Sequence, residues 1–297
     1  MPSVSRLVAT PKILRSDLLE DVAWLIHGFS TRTGGYSRAY GGNALNLGFT
    51  ANDDRIAVQR NRDRFFEKLP RHANSWPLVT LCQIHSDIVH TIGRAPEHPL
   101  PGDGMITSSP AVLLGILTAD CIPVILVDAK RRAVGVFHAG WRGTVKRIVQ
   151  KGVGEMQHHF GANPQDIRAA IGPGIHNCCY QVGPDVREQF HSQFEYAADL
   201  FHEVKNSDVV RERYPLLFLT ARAPGHGELP FNIFLDLIEA NRRQLLDAGV
   251  RAQKIWSSPL CTSCRTDLLF SHRAERGVTG RMMAVAGIIS SRKSSAA

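Results

Sequence analysis

The stretch AVLLGILTADCIPVILVDAKRRAVGVFHAGWRG, residues 111–143, decides how the chain folds. Ala111 to Leu117 is an apolar run of strand length, Ile122 to Val127 is a second, and Ala133 to His138 is a third. Apolar runs of this length between turn signals predict buried strands. Pro123 stands at the start of the second run, where a strand tolerates proline. Asp128 to Arg132 predicts a hairpin turn that carries the basic run Lys130-Arg131-Arg132 in solvent. Gly140-Trp141-Arg142-Gly143 then opens a predicted helix, with Val145, Ile148, Val149, Val153 and Met156 on one face.

The same alternation of strands and helices continues outward. Trp24 to Ser30 predicts a short strand, and a turn-rich loop, Thr31 to Ser37, follows it. Asp53 to Leu69 predicts a helix, and Leu78 to Ile92 a strand that alternates around Leu81, Gln83 and His85. Ile167 to Ile171 predicts another strand, ended by Gly172-Pro173-Gly174. Phe231 to Ala248 predicts an amphipathic helix stopped by Gly249. Lys254 to Ser257 and Met282 to Ile288 predict a closing strand pair. No repeat, linker or composition shift marks a boundary. The expectation is one α/β sandwich-like domain over 1–297, with its core at about 20–290 and a fraying polar tail at 290–297.

Composition narrows the function classes. The chain has 297 residues, 43% hydrophobic and 21% charged, as expected of a globular protein with a sizeable core. No apolar run approaches the roughly 20 residues of a membrane-spanning helix. No secretory leader is evident at the N-terminus, so the expectation is a cytoplasmic protein with no membrane partner. In that compartment the six cysteines are expected to be reduced thiols rather than a disulfide framework. The net charge of +8 favours anionic partners. The basic residues are scattered and accompany no nucleic-acid-binding motif, so small anions are favoured over nucleic acid.

Three residues invite chemistry. Cys121 sits at a break between two apolar strands, and His138 ends a strand before a glycine-containing turn. Side by side they admit two readings: a thiolate–imidazolium dyad, or two of three ligands around a metal with an open position. A third candidate, His85 in Gln83-Ile84-His85, makes the metal reading available. A His, Cys, His set suits zinc, and copper is also chemically possible. Cys178-Cys179 reads as packing, and Cys261-x-x-Cys264 as structural, since no second pair stands at zinc-site spacing.

Several motifs together resemble the YfiH-like family, historically called multicopper polyphenol oxidases or laccase-domain proteins. They are His27-Gly28-Phe29-Ser30-Thr31-Arg32-Thr33-Gly34-Gly35, Leu45-Asn46-Leu47-Gly48, Asn61-Arg62, Gln83-Ile84-His85, Asp103-Gly104, Thr118 to Val124, His138 to Gly143, Gly172 to Ile175 with Cys178-Cys179-Tyr180, Cys261-Thr262 and Thr279-Gly280-Arg281. The resemblance runs from about residue 25 to residue 288.

It implies a layered α/β sandwich related to the cytotoxic-necrotizing-factor catalytic domain, with His85, Cys121 and His138 as ligands of zinc or, less in keeping, copper. It also implies a purine nucleoside phosphorylase acting on adenosine, inosine and methylthioadenosine, with adenosine deaminase activity. The partners are then purine nucleosides and phosphate, and the chain a monomer or homodimer. On this reading Asp120 is the acid–base carboxylate, with Asp103 as the other candidate. Arg142 and Arg32 are phosphate candidates in Gly-containing loops, each otherwise a surface or ion-pair residue, and Asn46 either contacts ribose or stabilises a turn. Gln181 and His272 depart from the family pattern, which has an acidic residue and an aromatic there.

Three other readings compete. The first is a peptidoglycan-precursor editing hydrolase built on Cys121 and His138. The second is a copper-dependent polyphenol oxidase, which the absence of any His-x-His pair among 13 histidines disfavours. The third is a non-catalytic binding protein with a structural metal.

Overall fold

The computed structural model describes residues 10–70, 73–205 and 231–290. The fold is α/β, and the described residues form two compact units, 1–176 with 237–297, and 177–236.

The first unit is built on two sheets. Its strands, in chain order, are β1 (Ile13–Leu14), β2 (Leu25–Ser30), β3 (Thr33–Ser37), β4 (Leu78–Val79), β5 (Val89–Thr91), β6 (Gly104–Thr107), β7 (Leu113–Thr118), β8 (Ile122–Asp128), β9 (Ala133–Ala139) and β10 (Ile167–Ile171). One sheet has the order β1-β2-β15-β7-β4, where β15 is Met282–Ile288. The other has the order β14-β10-β8-β9-β6-β5, where β14 is Ile255–Ser257. The three strands read from 111–143 are the middle of this scaffold. β8 and β9 pair antiparallel from Ile122↔Ala139 to Asp128↔Ala133, and β7 lies in the opposite sheet beside β15.

The two sheets share one apolar core. Phe29, Leu114, Ile116, Ala284 and Ala286 come from one, and Met105, Ile125, Val127, Val134 and Val136 from the other, all buried. Burial of both faces explains why β7, β8 and β9 read as continuous apolar runs rather than as alternation.

Helix α2 (Arg55–Glu67), which follows the short helix α1 (Asp17–Glu20), packs Phe65 with Ile26, Leu113 and Val285 on the outer face of the first sheet. Its N-terminus is capped by Asp54, whose side chain accepts from the N–H groups of Ile56 and Ala57. Buried Asn61 of α2 accepts from Tyr36 N and donates to Ser37 Oγ, Ala44 O and Asn46 O, which fixes the loop that leads to the site.

Helices α3 (Trp141–Val145) and α4 (Ile148–Phe160) follow β9, and α4 packs on β9 and β6. Gly152 makes the close approach of α4 possible: a Cβ there would lie 2.3 Å from the Phe137 ring. One continuous helix is expected from Gly140 onward, but two are found. Arg147 takes φ of 64°, so the ladder breaks between them.

The second unit contains β11 (Gln181–Val182), helix α5 (Pro184–Gln193), β12 (Phe201–Lys205) and β13 (Phe231–Leu235), in a sheet of order β11-β13-β12. Phe190, Phe194 and Phe201 pack as an aromatic cluster within it. The helix expected over 231–248 is instead β13 followed by helix α6 (Leu237–Asp247). The residues from Phe231 to Leu235 pair on both sides, with β11 and β12, and this ladder overrides the apolar period of the helix beyond. Gly249 ends α6 at φ of 92°, its N–H bonded to Leu246 O, as its position predicts.

The closing strands also part company. β14 pairs parallel with β10, whereas β15 lies in the other sheet between β2 and β7. Of the predicted polar tail, 291–297 lies outside the described residues. Among the described residues no helix is long and apolar enough to cross a membrane.

Candidate metal centre

Two loops and the end of one strand, all at one end of the sandwich, deliver the three candidate ligands. β7 ends at Thr118 in one sheet and β8 begins at Ile122 in the other, so residues 119–121 cross between sheets. Asp120 takes φ of 85° at this crossing, and Cys121 follows it. His138 is the penultimate residue of β9, opposite Pro123 of β8. His85 stands between β4 and β5, in irregular chain with φ of 56° rather than in the expected strand.

The reason for that irregular chain is Asp103. Its side chain is fully buried just before β6. Oδ2 accepts from Ile84 N at 3.2 Å, Ser86 N at 2.6 Å and Ser86 Oγ at 2.8 Å, and Oδ1 accepts from His85 N at 3.1 Å. A turn wrapped round a carboxylate replaces the strand ladder, and it aims the His85 ring.

Asp103 also holds a second member of the trio. His138 Nδ1 donates to Asp103 Oδ1 at 2.8 Å. With Nδ1 so engaged, Nε2 is the nitrogen left to ligate. The His85 and His138 rings meet edge to face with centroids 4.9 Å apart. Cys121 Sγ is 3.9 Å from His85 Nε2, and the three candidate ligand atoms all lie within 4.8 Å of one another.

The electrostatics of the group are strongly coupled. Burial favours the neutral Cys121 thiol, but the charge and hydrogen bond of His138, aided by His85, outweigh it and bring the thiol down to about 6. Burial disfavours the His138 imidazolium, yet the Cys121 thiolate and the Asp103 hydrogen bond raise His138 to about 9. Asp103 is held well below the usual carboxylate range: burial opposes this, but His138 and Ser86 prevail. Two imidazoles and a thiolate that ionises readily are the donor types a borderline-soft cation takes, and three protein donors leave room for a further ligand.

Gly140 is fitted to this cluster. A Cβ there would lie 2.9 Å from Cys121 Sγ and 3.0 Å from His85 Cδ2. Its φ of −73° is open to any residue, so Gly140→Ala crowds the donors without straining the backbone. The variant is expected to melt near the parent temperature but to bind metal about tenfold or more weaker, measured by chelator competition.

The trio opens into a cavity of about 630 Å³. That size suits a small organic substrate. His85, Cys121 and His138 line it, with Phe49, His272 and Arg281.

Among the candidate site residues, Arg32, Asn46, Asp103, Asp120 and Arg142 do not line it. Arg32 is locked in protein: it donates to Thr266 O, Tyr40 O and Glu275 Oε1, and stacks on Phe270. Arg142 is exposed and lies over its neighbour Trp141. Asn46 is fully buried, donating to Gly48 O and Asp53 Oδ2 and accepting from Gly48 N and Arg281 N, which leaves no group for ribose. Asp120 accepts from Thr262 Oγ1 at 2.6 Å and Arg273 N at 2.6 Å, and braces the loop around 271–277. Asp103 faces His138 and the 84–86 turn rather than the cavity. Of the other lining residues, Phe49 carries no sequence signal, Arg281 lies in the Thr279-Gly280-Arg281 motif, and His272 stands where the sequence departs from the family pattern.

The chain is similar to known proteins over most of its length. Residues 26–289 match the family model described as multi-copper polyphenol oxidoreductase laccase. The purine nucleoside phosphorylase YlmD of Geobacillus stearothermophilus is 35% identical over 274 residues, 89% of this chain and 90% of that protein. Its crystal structure superposes with a TM-score of 0.73 at 34% identity, covering 94% of this chain and 96% of that one. A purine nucleoside phosphorylase of Deinococcus radiodurans is 38% identical over 268 residues, 88% of each chain. An adenosine deaminase, RL5, from an unknown prokaryotic organism is 36% identical over 171 residues, 58% of this chain and 56% of that one.

Proposed function

The chain belongs to the multi-copper polyphenol oxidoreductase laccase family, and we propose that within it the chain is a metal-dependent purine nucleoside phosphorylase with adenosine deaminase activity. The observation that carries this reading is the convergence of His85, Cys121 and His138 in one wall of a nucleoside-sized cavity. The unbroken family match over 26–289 supports treating the chain as one catalytic domain. A cytoplasmic setting, which keeps the Cys121 thiol reduced, belongs to the same reading.

Zinc is the cation that two imidazoles and one thiolate suit best, and when bound it supplies Lewis acidity to the cavity. Copper as an oxidase cluster is disfavoured, because the chain has 13 histidines and no His-x-His pair.

In phosphorolysis a phosphate oxygen bonds to C1′ of the nucleoside as the C1′–N9 bond breaks. The bonding pair leaves with the purine, which takes up a proton, so inosine and phosphate give hypoxanthine and ribose 1-phosphate. In deamination the oxygen of water adds at C6 of adenosine and ammonia leaves. The chain's own residues fix the geometry for both. Asp103 holds the His138 ring by Nδ1 and the 84–86 turn by its N–H groups. Thiolate and imidazoles are thereby preorganised, and little reorganisation is needed when charge develops in the cavity.

A second reading has one observation in its favour. A Cys121 thiol at about 6 beside His138 at about 9 is also the pairing of a cysteine hydrolase, such as a peptidoglycan-precursor editing enzyme. Chelation separates the two, since a thiol hydrolase keeps its activity without metal and loses it to iodoacetamide. For either reading, Cys121 alkylation in the chelated protein, followed by peptide mass spectrometry, is expected to rise as pH passes about 6. An ordinary thiol would rise near pH ~8.5. Added zinc is expected to protect Cys121 across that range, and protection absent at every pH would contradict its role as a ligand.

A further inference from the structure

Resting on the phosphorylase reading, we propose that Arg281, with His272 as a second donor, is the phosphate-binding element of the cavity. A phosphorylase must hold a multiply charged anion beside the nucleoside, and the cavity lining is charged for one. Among the described residues no Asp, Glu or Lys lines it, and Arg281 is the one arginine that does. A guanidinium stays charged at every working pH.

Among the described residues nothing neutralises that charge. Arg281 Nη1 donates to the carbonyls of Thr279 and Gly280, each at 3.0 Å. No carboxylate pairs with it among the described residues, and Nε and Nη2 carry no partner there. Two unspent N–H directions on a planar fork are the geometry that grips an oxyanion. Arg32 differs, because Glu275 and two carbonyls already occupy it.

Arg281 is also placed in advance. Its N–H donates to Asn46 Oδ1 at 2.8 Å, and its carbonyl accepts from Leu47 N at 3.0 Å. Its stem lies over Gly48, where a Cβ would come within 2.7 Å of Arg281 Cγ. Buried Asn46 thus acts by holding Arg281, and glycine at 48 makes room for the arm. His272 lines the same cavity, on the loop that Asp120 anchors through Arg273 N. Its imidazole has no hydrogen-bond partner among the described residues. Where the family resemblance leads to an aromatic at this position, the chain has a side chain able to donate to phosphate.

The test measures inosine phosphorolysis by the zinc-loaded protein, with inorganic phosphate and inosine varied separately, for the parent, Arg281→Gln, Arg281→Lys and His272→Phe. Phosphate binding is followed independently by ³¹P line broadening. Arg281→Gln is expected to raise the phosphate KM and the phosphate dissociation constant about tenfold or more, with the inosine KM changed less than about threefold. Arg281→Lys keeps the stem and the charge but not the fork, and is expected to fall between. His272→Phe is expected to raise the phosphate KM by a smaller factor, about threefold, at neutral pH. An unchanged phosphate KM in Arg281→Lys and Arg281→Gln, with both folded by melting curve, overturns the proposal. If the parent shows no phosphate-dependent hypoxanthine release, the phosphorylase reading fails by itself. The Arg281 site is then decided by ³¹P binding, which must weaken in Arg281→Gln for the site to stand.

Discussion

Replacing Cys121 with Ala or Ser is expected to abolish phosphate-dependent release of hypoxanthine from inosine, by a factor of at least about 1000, while the chain still folds. Stabilisation of developing charge at a single position is worth about 100- to 1000-fold in rate. Removal of Cys121 takes away more than one such interaction, because it is the anionic member of the trio. In the metal-free protein the thiolate, together with the Asp103 hydrogen bond, also favours the charged form of His138. Without the thiolate, two imidazoles remain as a weaker donor pair. Bound metal is expected to fall from one per chain to less than about a tenth, since thiolate is the softest of the three donors. The fold should survive, because the shared core of Phe29, Leu114, Ile125 and Val136 does not involve Cys121. Steady-state kinetics, metal analysis and a melting curve on the same preparation check all three parts. Full activity in Cys121→Ser would remove the trio from the chemistry.

The second large effect belongs to Asp103, a positioning residue that touches no cavity space. Five donors converge on its two oxygens: three backbone N–H groups, Ser86 Oγ and His138 Nδ1. Asp103→Asn changes little in volume, yet it must turn an NH₂ group against one set of these donors. Oδ1 serves His85 N and His138, and Oδ2 serves Ile84 N and both groups of Ser86, so neither orientation of the amide is free of conflict. Loss of one partner of a buried ion pair costs about 3–5 kcal/mol, and a group holding a ligand by its outer nitrogen tunes affinity about 10- to 100-fold. Both penalties are expected here. The melting temperature falls, and metal affinity drops by at least tenfold under conditions where the variant is still folded. A merely structural role would lower the melting temperature and leave the metal affinity of the folded fraction unchanged.

These two residues also show where the sequence was legible. Cys121 and His138 lie at the ends of β8 and β9, strands that announce themselves as apolar runs closed by turn signals. The sandwich between β7, β8 and β9 was therefore readable, and so was the end of it where side chains gather. From the sequence Asp103 reads as a candidate acid–base or substrate-binding carboxylate, not as the anchor of the ligands. Its role depends on backbone N–H groups 17 to 19 residues earlier and on a histidine 35 residues later. Arg32 was misleading for the same reason. Its partners Thr266 and Glu275 are more than 230 residues away in sequence, and no local pattern reveals them. The break at Arg147 had no glycine or proline to mark it. In 231–248 an alternating strand ran straight into an amphipathic helix, and the two periods merged into one apparent helix. Arg281 was quoted only as part of a motif, and its place in the cavity emerged from Gly48 and Asn46, which hold it from another part of the chain.

On the proposed reading, His85, Cys121 and His138 hold a cation that the purine chemistry requires. Metal analysis of the purified chain, paired with inosine turnover before and after chelation and with and without phosphate, tests it most directly. Close to one zinc per chain is expected, with hypoxanthine release only when phosphate is present, loss of that release on chelation, and recovery when zinc is restored. A chelated, metal-free protein that turns over inosine at the full rate would contradict it.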